Sequence, residues 1–448
     1  MRDMNLVVLA LAQFLLALDY SIVYVALPGM ARDLGLDLGT AQWVVSAYAV
    51  PFAGFLLVGG RLADRVGAGR LFVAATALFG VASVVGGAAG DGATLLAARG
   101  AQGVAAALLQ PAVLGLIGST FAAGPARTRA LSVWGAVGAS GLAAGVVLGG
   151  LLTRASWRWT FYVNVPVTVF CAVGGLLWLA MRRGTDQRVP LRAALLATGA
   201  ALAVVLGLTF AGTEGWRSPL TLATVAAGGA LTAGFLAGER RGTSTLVDVS
   251  LRRIGSLRTG TAATALYMAS VGSEFYVVTL LLQTLRGYEP LRAGLAFLPL
   301  AAMVTVGSSA TARAVRRFGT PPTLAGAFVL AAAGLAWLAL GGTGAYATGL
   351  LPGLLVTGFA HGMIYTSMFI LGGRDVPAAL QSSAGALLTT SQYLAGAVTV
   401  AVLTLVLHGG DFAVAFWLTA AAAAAGALVA ARPGAADATG AASPAGAR

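Results

Sequence analysis

Apolar stretches of about 20 residues recur along the whole chain, separated only by short connections. This repeat constrains the fold more than any other feature. A helix of that length, rising 1.5 Å per residue, spans a hydrocarbon core of about 30 Å. In lipid, every backbone N–H and C=O must be satisfied inside the segment or in a closed barrel. Barrel strands alternate apolar and polar residues over about 10 positions, and no such alternation is present here. The expected fold is therefore all-α and membrane-integral. Fourteen spans are expected, at residues 5–28, 41–60, 71–90, 94–119, 130–152, 162–181, 191–211, 220–237, 258–283, 292–311, 322–341, 346–371, 380–407 and 412–431.

Composition agrees. Of 448 residues, 58% are hydrophobic and 10% charged, against roughly a quarter charged in soluble domains. The first apolar stretch is too long for a signal peptide, lacks a small-residue cleavage site and is followed by further spans, so it reads as a retained helix. Cys171 is the single cysteine and forms no internal disulfide.

The formal net charge of +13 comes from 28 basic residues, all arginines. They sit in short connections rather than in a soluble cluster, which argues against nucleic acid and for membrane topology. With the N-terminus inside, 21 arginines fall on the cytoplasmic side and 6 outside, Arg99 alone lying within a span. That bias puts both termini in the cytoplasm and favours an even number of spans. The segment after Arg432, rich in Ala, Gly, Pro and Ser, reads as a disordered tail over 432–448.

A weak repeat divides the chain. Gly60-Arg-Leu-Ala-Asp64-Arg65-Val-Gly67 and Ala312-Arg-Ala-Val-Arg316-Arg317-Phe-Gly319 both join two apolar helices on the expected inner side. Two six-helix halves related in this way are a transporter signature. The expected units are 1–181, a six-helix bundle; 182–257, carrying two extra spans with no partner in the repeat; and 258–431, a second six-helix bundle.

The residues also resemble a known family, the major facilitator superfamily, specifically its fourteen-helix drug:proton antiporter branch, from about residue 5 to 431. Gly60 through Arg70 (Gly60, Asp64, Arg65, Gly67, Arg70) is similar to the family's loop between the second and third spans. Glycine permits the tight turn there. Asp64 is suited to accept charge-assisted hydrogen bonds from loop arginines or a helix N-terminus, latching one conformation. Arg99-Gly-Ala-Gln102-Gly103 resembles the fourth-span motif, and Leu18-Asp19 through Pro28 the first-span motif, with Tyr24 where the branch has Asn. Gly141, Gly145, Gly149 and Gly150 are similar to the antiporter motif of the fifth span, but Val146 stands where that motif has proline. Small residues at this spacing also simply let helices approach. Trp157 through Pro166, Tyr288 through Pro299, and Ser383 through Gly396 match the branch as well.

An arginine or carboxylate inside a span is costly and marks a functional site unless it snorkels to the interface. Glu274 and His361 lie inside the ninth and twelfth spans, where the motifs do not require them. Asp19 and Glu274 each sit about nine residues, near 14 Å, from the outer end of their span. The expectation is that Asp19 and Glu274 are proton-coupling acids, tuned by Arg99. Glu274 reads equally as a pore-lining polar residue, and His361 as a packing histidine. Gln102, Tyr24, His361 and Tyr276 are candidate cavity residues.

The resemblance implies a secondary transporter exporting amphipathic, drug-like molecules by proton antiport and alternating access. It implies a multi-pass monomer in the cell membrane, with small-molecule substrate, protons and lipid as its partners. A dedicated exporter of one metabolite is the alternative; a membrane sensor would need a soluble module that no loop is long enough to hold. No catalytic, metal or cofactor site is expected. Metalloprotease, serine-hydrolase and nucleotide-binding motifs are absent, and His361 and His408 are the only histidines.

Overall fold

The computed structural model describes residues 2–36, 38–181, 184, 190–241, 246–408 and 410–432. Among them there is no β-strand. A long helix stands at each expected span: α1 (Arg2–Asp33), α2 (Leu38–Val66), α3 (Ala68–Gly87), α4 (Gly92–Thr120), α5 (Pro125–Leu152), α6 (Asn164–Trp178), α7 (Leu191–Glu214), α8 (Pro219–Arg241), α9 (Gly255–Leu285), α10 (Leu298–Phe318), α11 (Thr320–Gly341), α12 (Leu351–Gly373), α13 (Gln381–His408) and α14 (Phe412–Ala430). Thirteen spans among the described residues are long and apolar enough to cross a membrane. The helix outside that count is α5, which includes Val146 and other residues whose side chains lie outside the described set. The expected tail after Arg432 also lies outside the described residues.

The helices form two sets. In the first, α1 packs along α5, α2 along α4, and α3 along α4 and α6. In the second, α10 packs along α12, α11 along α12 and α14, and α9 along α12 and α13. The pair α7–α8 packs on itself, with α7 also touching α2 and α13. The sets meet where α5 lies on α10 and α12, and where α2 and α4 lie on α13.

Short connections make successive helices antiparallel, so every second connection shares a face. Contacts among these connections bear this out. Arg61 pairs with Asp248, which caps the short helix Val249–Arg252 ahead of α9, at 3.8 Å. A Cβ added to Gly184 would lie 2.1 Å from the Arg65 carbonyl. Arg127, opening α5, donates to the Gly118 carbonyl of α4 at 2.6 Å and to the Gly373 carbonyl of α12 at 3.4 Å. This face, which carries most of the arginines, is called the arginine-rich face below.

The outer surface is apolar. Leu177 is 67% exposed, Leu340 79% and Leu428 71%. Water would not tolerate a surface built this way, but lipid does. Small residues set the close helix contacts: α5 meets α1 through glycines, and α2 meets α4 where Gly103 leaves no room beside the Tyr48 carbonyl.

Candidate functional site: two buried carboxylates and a sealed face

Asp91 sets the register of α4, its carboxylate accepting the Thr94 N–H at 2.8 Å as an N-cap. Seven residues past Gly92, about 10 Å into the helix, comes Arg99, which is 1% exposed. It does not snorkel. Its NH1 donates to Asp19 Oδ2 at 2.7 Å and to Gln102 Oε1 at 2.8 Å, and its Nε donates to the Val44 carbonyl at 3.1 Å. The guanidinium lies 4.5 Å above the Tyr48 ring.

Asp19 is fully buried. Its Oδ1 accepts from Asn164 Nδ2 at 2.8 Å and from Gln102 Nε2 at 3.2 Å. Gln102 Nε2 also donates to Ser83 Oγ at 2.9 Å, and Ser83 in turn donates to the Phe79 carbonyl at 2.8 Å. Five helices thus contribute: α1, α2, α3, α4 and α6. Asn164 stood in a motif match without an assigned role, and Ser83 carried no sequence signal at all.

Glu274 belongs to the other set. It is 1% exposed and accepts from Thr357 Oγ1 of α12 at 2.7 Å. One turn along α12, His361 Nε2 lies 2.7 Å from Tyr267 Oη. Tyr276 bonds Thr404 Oγ1 of α13 at 2.7 Å. The structure therefore brings Asp19, Arg99 and Gln102 together, and gives Glu274, His361 and Tyr276 separate partners within α9–α14. Gln102 has no exposed area, whereas Tyr24, packed edge-on against Tyr20 at 5.8 Å between ring centroids, is 48% exposed.

The α9 helix is not regular. Residues Met268–Gly272 are π-helical, and Ser270 leaves helical dihedrals at φ −115°, ψ −110°. Helices break in this way where local backbone groups find other partners. Ser270 Oγ donates to the Leu266 carbonyl at 2.7 Å, and Ser273 Oγ to the Met268 carbonyl at 2.6 Å.

The fifth-span glycines lie against the turn of α1 that bears Asp19. A Cβ on Gly141 would lie 2.8 Å from the Phe14 carbonyl, one on Gly145 1.9 Å from Ser21 Oγ, and one on Gly149 3.0 Å from Val25 Cβ. Gly150 is half-buried at the same end of the helix.

At the arginine-rich face the two sets close on each other. Asp64 accepts the Ser383 N–H, in the first turn of α13, at 3.1 Å. A carboxylate is favoured at such a helix N-terminus. Gly67, at φ +95°, makes the turn that only glycine adopts freely. Arg65 and Arg70 are exposed. Gly60 abuts Ala386, and Gly115 abuts Ser382, with no room for a Cβ at either. Deeper between the sets, Trp134 of α5 stacks on Tyr365 of α12 at 5.3 Å, and Phe52 of α2 meets Tyr393 of α13 at 4.7 Å.

Two sets of six helices around buried polar groups, plus an inserted pair, describe a transporter architecture. The model of the Major Facilitator Superfamily matches residues 9–400. The chain belongs to that superfamily. It is 36% identical over 421 residues to the puromycin resistance protein pur8 of Streptomyces alboniger, covering 92% of this chain and 83% of that protein. It is 34% identical to the cephamycin export protein CmcT of Amycolatopsis lactamdurans, over 90% of this chain and 85% of that one. Among solved structures, the human organic anion transporter MFSD10 superposes with a TM-score of 0.71 at 15% identity, over 96% of this chain and 99% of that one. At that identity the likeness concerns fold alone. The chain is a multi-pass membrane transporter of small molecules and not an enzyme.

Proposed function

We propose that this transporter exports amphipathic, antibiotic-like molecules from the cytoplasm in exchange for protons, by alternating access. The single observation that carries the reading is the seal at the arginine-rich face. Asp64 and the glycines of α2 and α4 close on α13 there, while buried ionisable groups lie deeper in both sets. Such a closed end is one state of a two-state cycle, in which the sets rock about a midplane site. The sets are the units 1–181 and 258–431, with 182–257 inserted between them.

The arginine bias supports a cytoplasmic position for this face and for both termini, in the cell membrane. The face is then closed inward, and the exposed Tyr24 lies towards the outer side. Asp19, Arg99 and Glu274 are the proton-coupling candidates. The transporter acts as a monomer.

A second reading is favoured by the relatives themselves, which are named for single antibiotics. On that reading the chain is a dedicated exporter of one metabolite. Purified protein in liposomes separates the possibilities. With puromycin as the probe, an imposed pH gradient is expected to drive uphill flux. Flux indifferent to the gradient would overturn antiport. Competition by chemically unrelated antibiotics supports broad export, and competition by close analogues alone supports the dedicated exporter.

A further inference from the structure

The two buried carboxylates meet their surroundings in opposite ways. Asp19 faces only N–H donors: Arg99, Asn164 and Gln102. Gln102 is pinned in orientation, because its Oε1 accepts from Arg99 and its Nε2 also donates to Ser83. A proton on Asp19 would set donor against donor and leave the Arg99 charge buried without a counter-ion, which is strongly unfavourable.

Glu274 faces a hydroxyl with a choice. Thr357 Oγ1 lies 2.7 Å from Glu274 Oε1 and 3.0 Å from the Gly353 carbonyl. When Glu274 is ionised, the hydroxyl donates to it. When Glu274 is protonated on Oε1, the acid donates to Thr357, whose hydroxyl turns to Gly353. When the proton sits on Oε2, the Thr357 bond stays as it is. Oε2 is buried and has no hydrogen-bond partner. The hydrogen bond to Thr357 can therefore form in both protonation states without moving a heavy atom, while the ionised state, with Oε2 buried and unpartnered, is the one that calls for a change of surroundings.

No cation pairs with Glu274 among the described residues. The titratable groups on its own helix and on α12 are Tyr267 and His361, which bond each other, Tyr276, held by Thr404, and Tyr365, stacked on Trp134. The packed helix α13 adds Tyr393, and α11 and α14 contribute none within their spans. Glu274 also sits in the short segment Ser273–Leu280, just past the break in α9. The break at Ser270 separates that segment from Gly255–Tyr267.

We propose that Glu274 is the group that gains and releases the coupled proton, while Asp19 stays ionised throughout as the fixed partner of Arg99. Gaining the proton forms one O–H bond and removes one charge; release returns the proton to water. This deepens the antiport reading and rests on it, but the test separates the two.

Full-length protein in lipid nanodiscs is titrated, and the infrared C=O band of protonated carboxylic acid is followed. A titrating band is expected that disappears in Glu274→Gln, shifts in frequency in Glu274→Asp, and persists in Asp19→Asn. A band that survives Glu274→Gln, or that is lost in Asp19→Asn with Glu274 intact and the protein folded, overturns the proposal. In liposomes, Glu274→Gln is expected to keep downhill puromycin flux and lose proton-driven uphill flux; unaltered uphill flux also overturns the proposal. Should the wild type show no proton-driven flux while its band depends on Glu274, the proton site stands and antiport falls.

Discussion

Arg99 illustrates how one residue is forced into a role by its depth. An arginine about 10 Å inside a helix that faces neighbouring helices must find a counter-charge, and it finds Asp19 at 2.7 Å. Removing one partner of a buried pair costs about 3–5 kcal/mol, because the other charge is stranded. Arg99→Gln is therefore expected to lower the thermal unfolding temperature in detergent clearly more than the double variant Asp19→Asn/Arg99→Gln does. Equal losses in the two proteins would mean that the pair is not coupled. In the single variant Asp19 escapes by taking a proton, so a carboxylic-acid C=O band absent from the wild type should appear. The sequence marked Asp19, Arg99 and Gln102 as polar groups in apolar spans. It did not pair Asp19 with Asn164 or Gln102 with Ser83, because partners depend on how each helix is rotated about its axis. Likewise Glu274 was visible as a charge in a span, while Thr357, its partner 83 positions away, looked like any other threonine.

At the scale of helices, the existence and length of the spans follow from composition, since lipid permits little else. The break in α9 did not. No proline marks it, and the serine hydroxyls that bond backbone carbonyls at the break have counterparts, such as Ser83 and Thr76, in helices that stay regular. The glycine row of α5 was visible as a pattern, but α1 as its neighbour was not. That contact gives a prediction of contrast between two glycines. At Gly145 a Cβ would lie 1.9 Å from Ser21 Oγ and 2.8 Å from the Leu18 carbonyl, so the helices must separate. Gly145→Ala is expected to destabilise by about 1–3 kcal/mol, the usual cost of overpacking. At Gly229, on the exposed α8, nothing lies within 4 Å. Gly229→Ala should be neutral or stabilising by up to about 1 kcal/mol, from helix propensity alone. Thermal unfolding of both variants in the same detergent checks the pair. Destabilisation of the same size in both would show that the α1–α5 approach is not limiting.

The whole molecule depends on the balance between its two sets of helices, and the arginine-rich face shows what holds them together. The Asp64–Ser383 contact joins residues 319 positions apart, and it lies at the N-terminus of α13, where the helix dipole adds to the hydrogen bond. A hydrogen bond to a charged group contributes about 1.5–3 kcal/mol. If it exists only in the closed state of this face, its loss shifts the closed-to-open ratio by roughly ten- to a hundredfold. Asp64→Asn retains an acceptor but loses the charge, and so should shift the ratio less than Asp64→Ala. Gly115→Ala attacks the same seal by another route, because its Cβ would lie 1.9 Å from Ser382 Oγ. Spin labels at exposed positions on the two sides of this face, for example Arg70 and Asp375, report the separation directly. Asp64→Ala and Gly115→Ala should both enlarge the long-distance population, and on the proposed antiport both should lower the proton-driven flux of the puromycin probe per folded protein. If the distance distribution stays that of the wild type in both variants, the contact is packing and not a latch. The two routes share no chemistry, one removing a charge and the other adding a methyl group, so a common opening would trace to the interface they share.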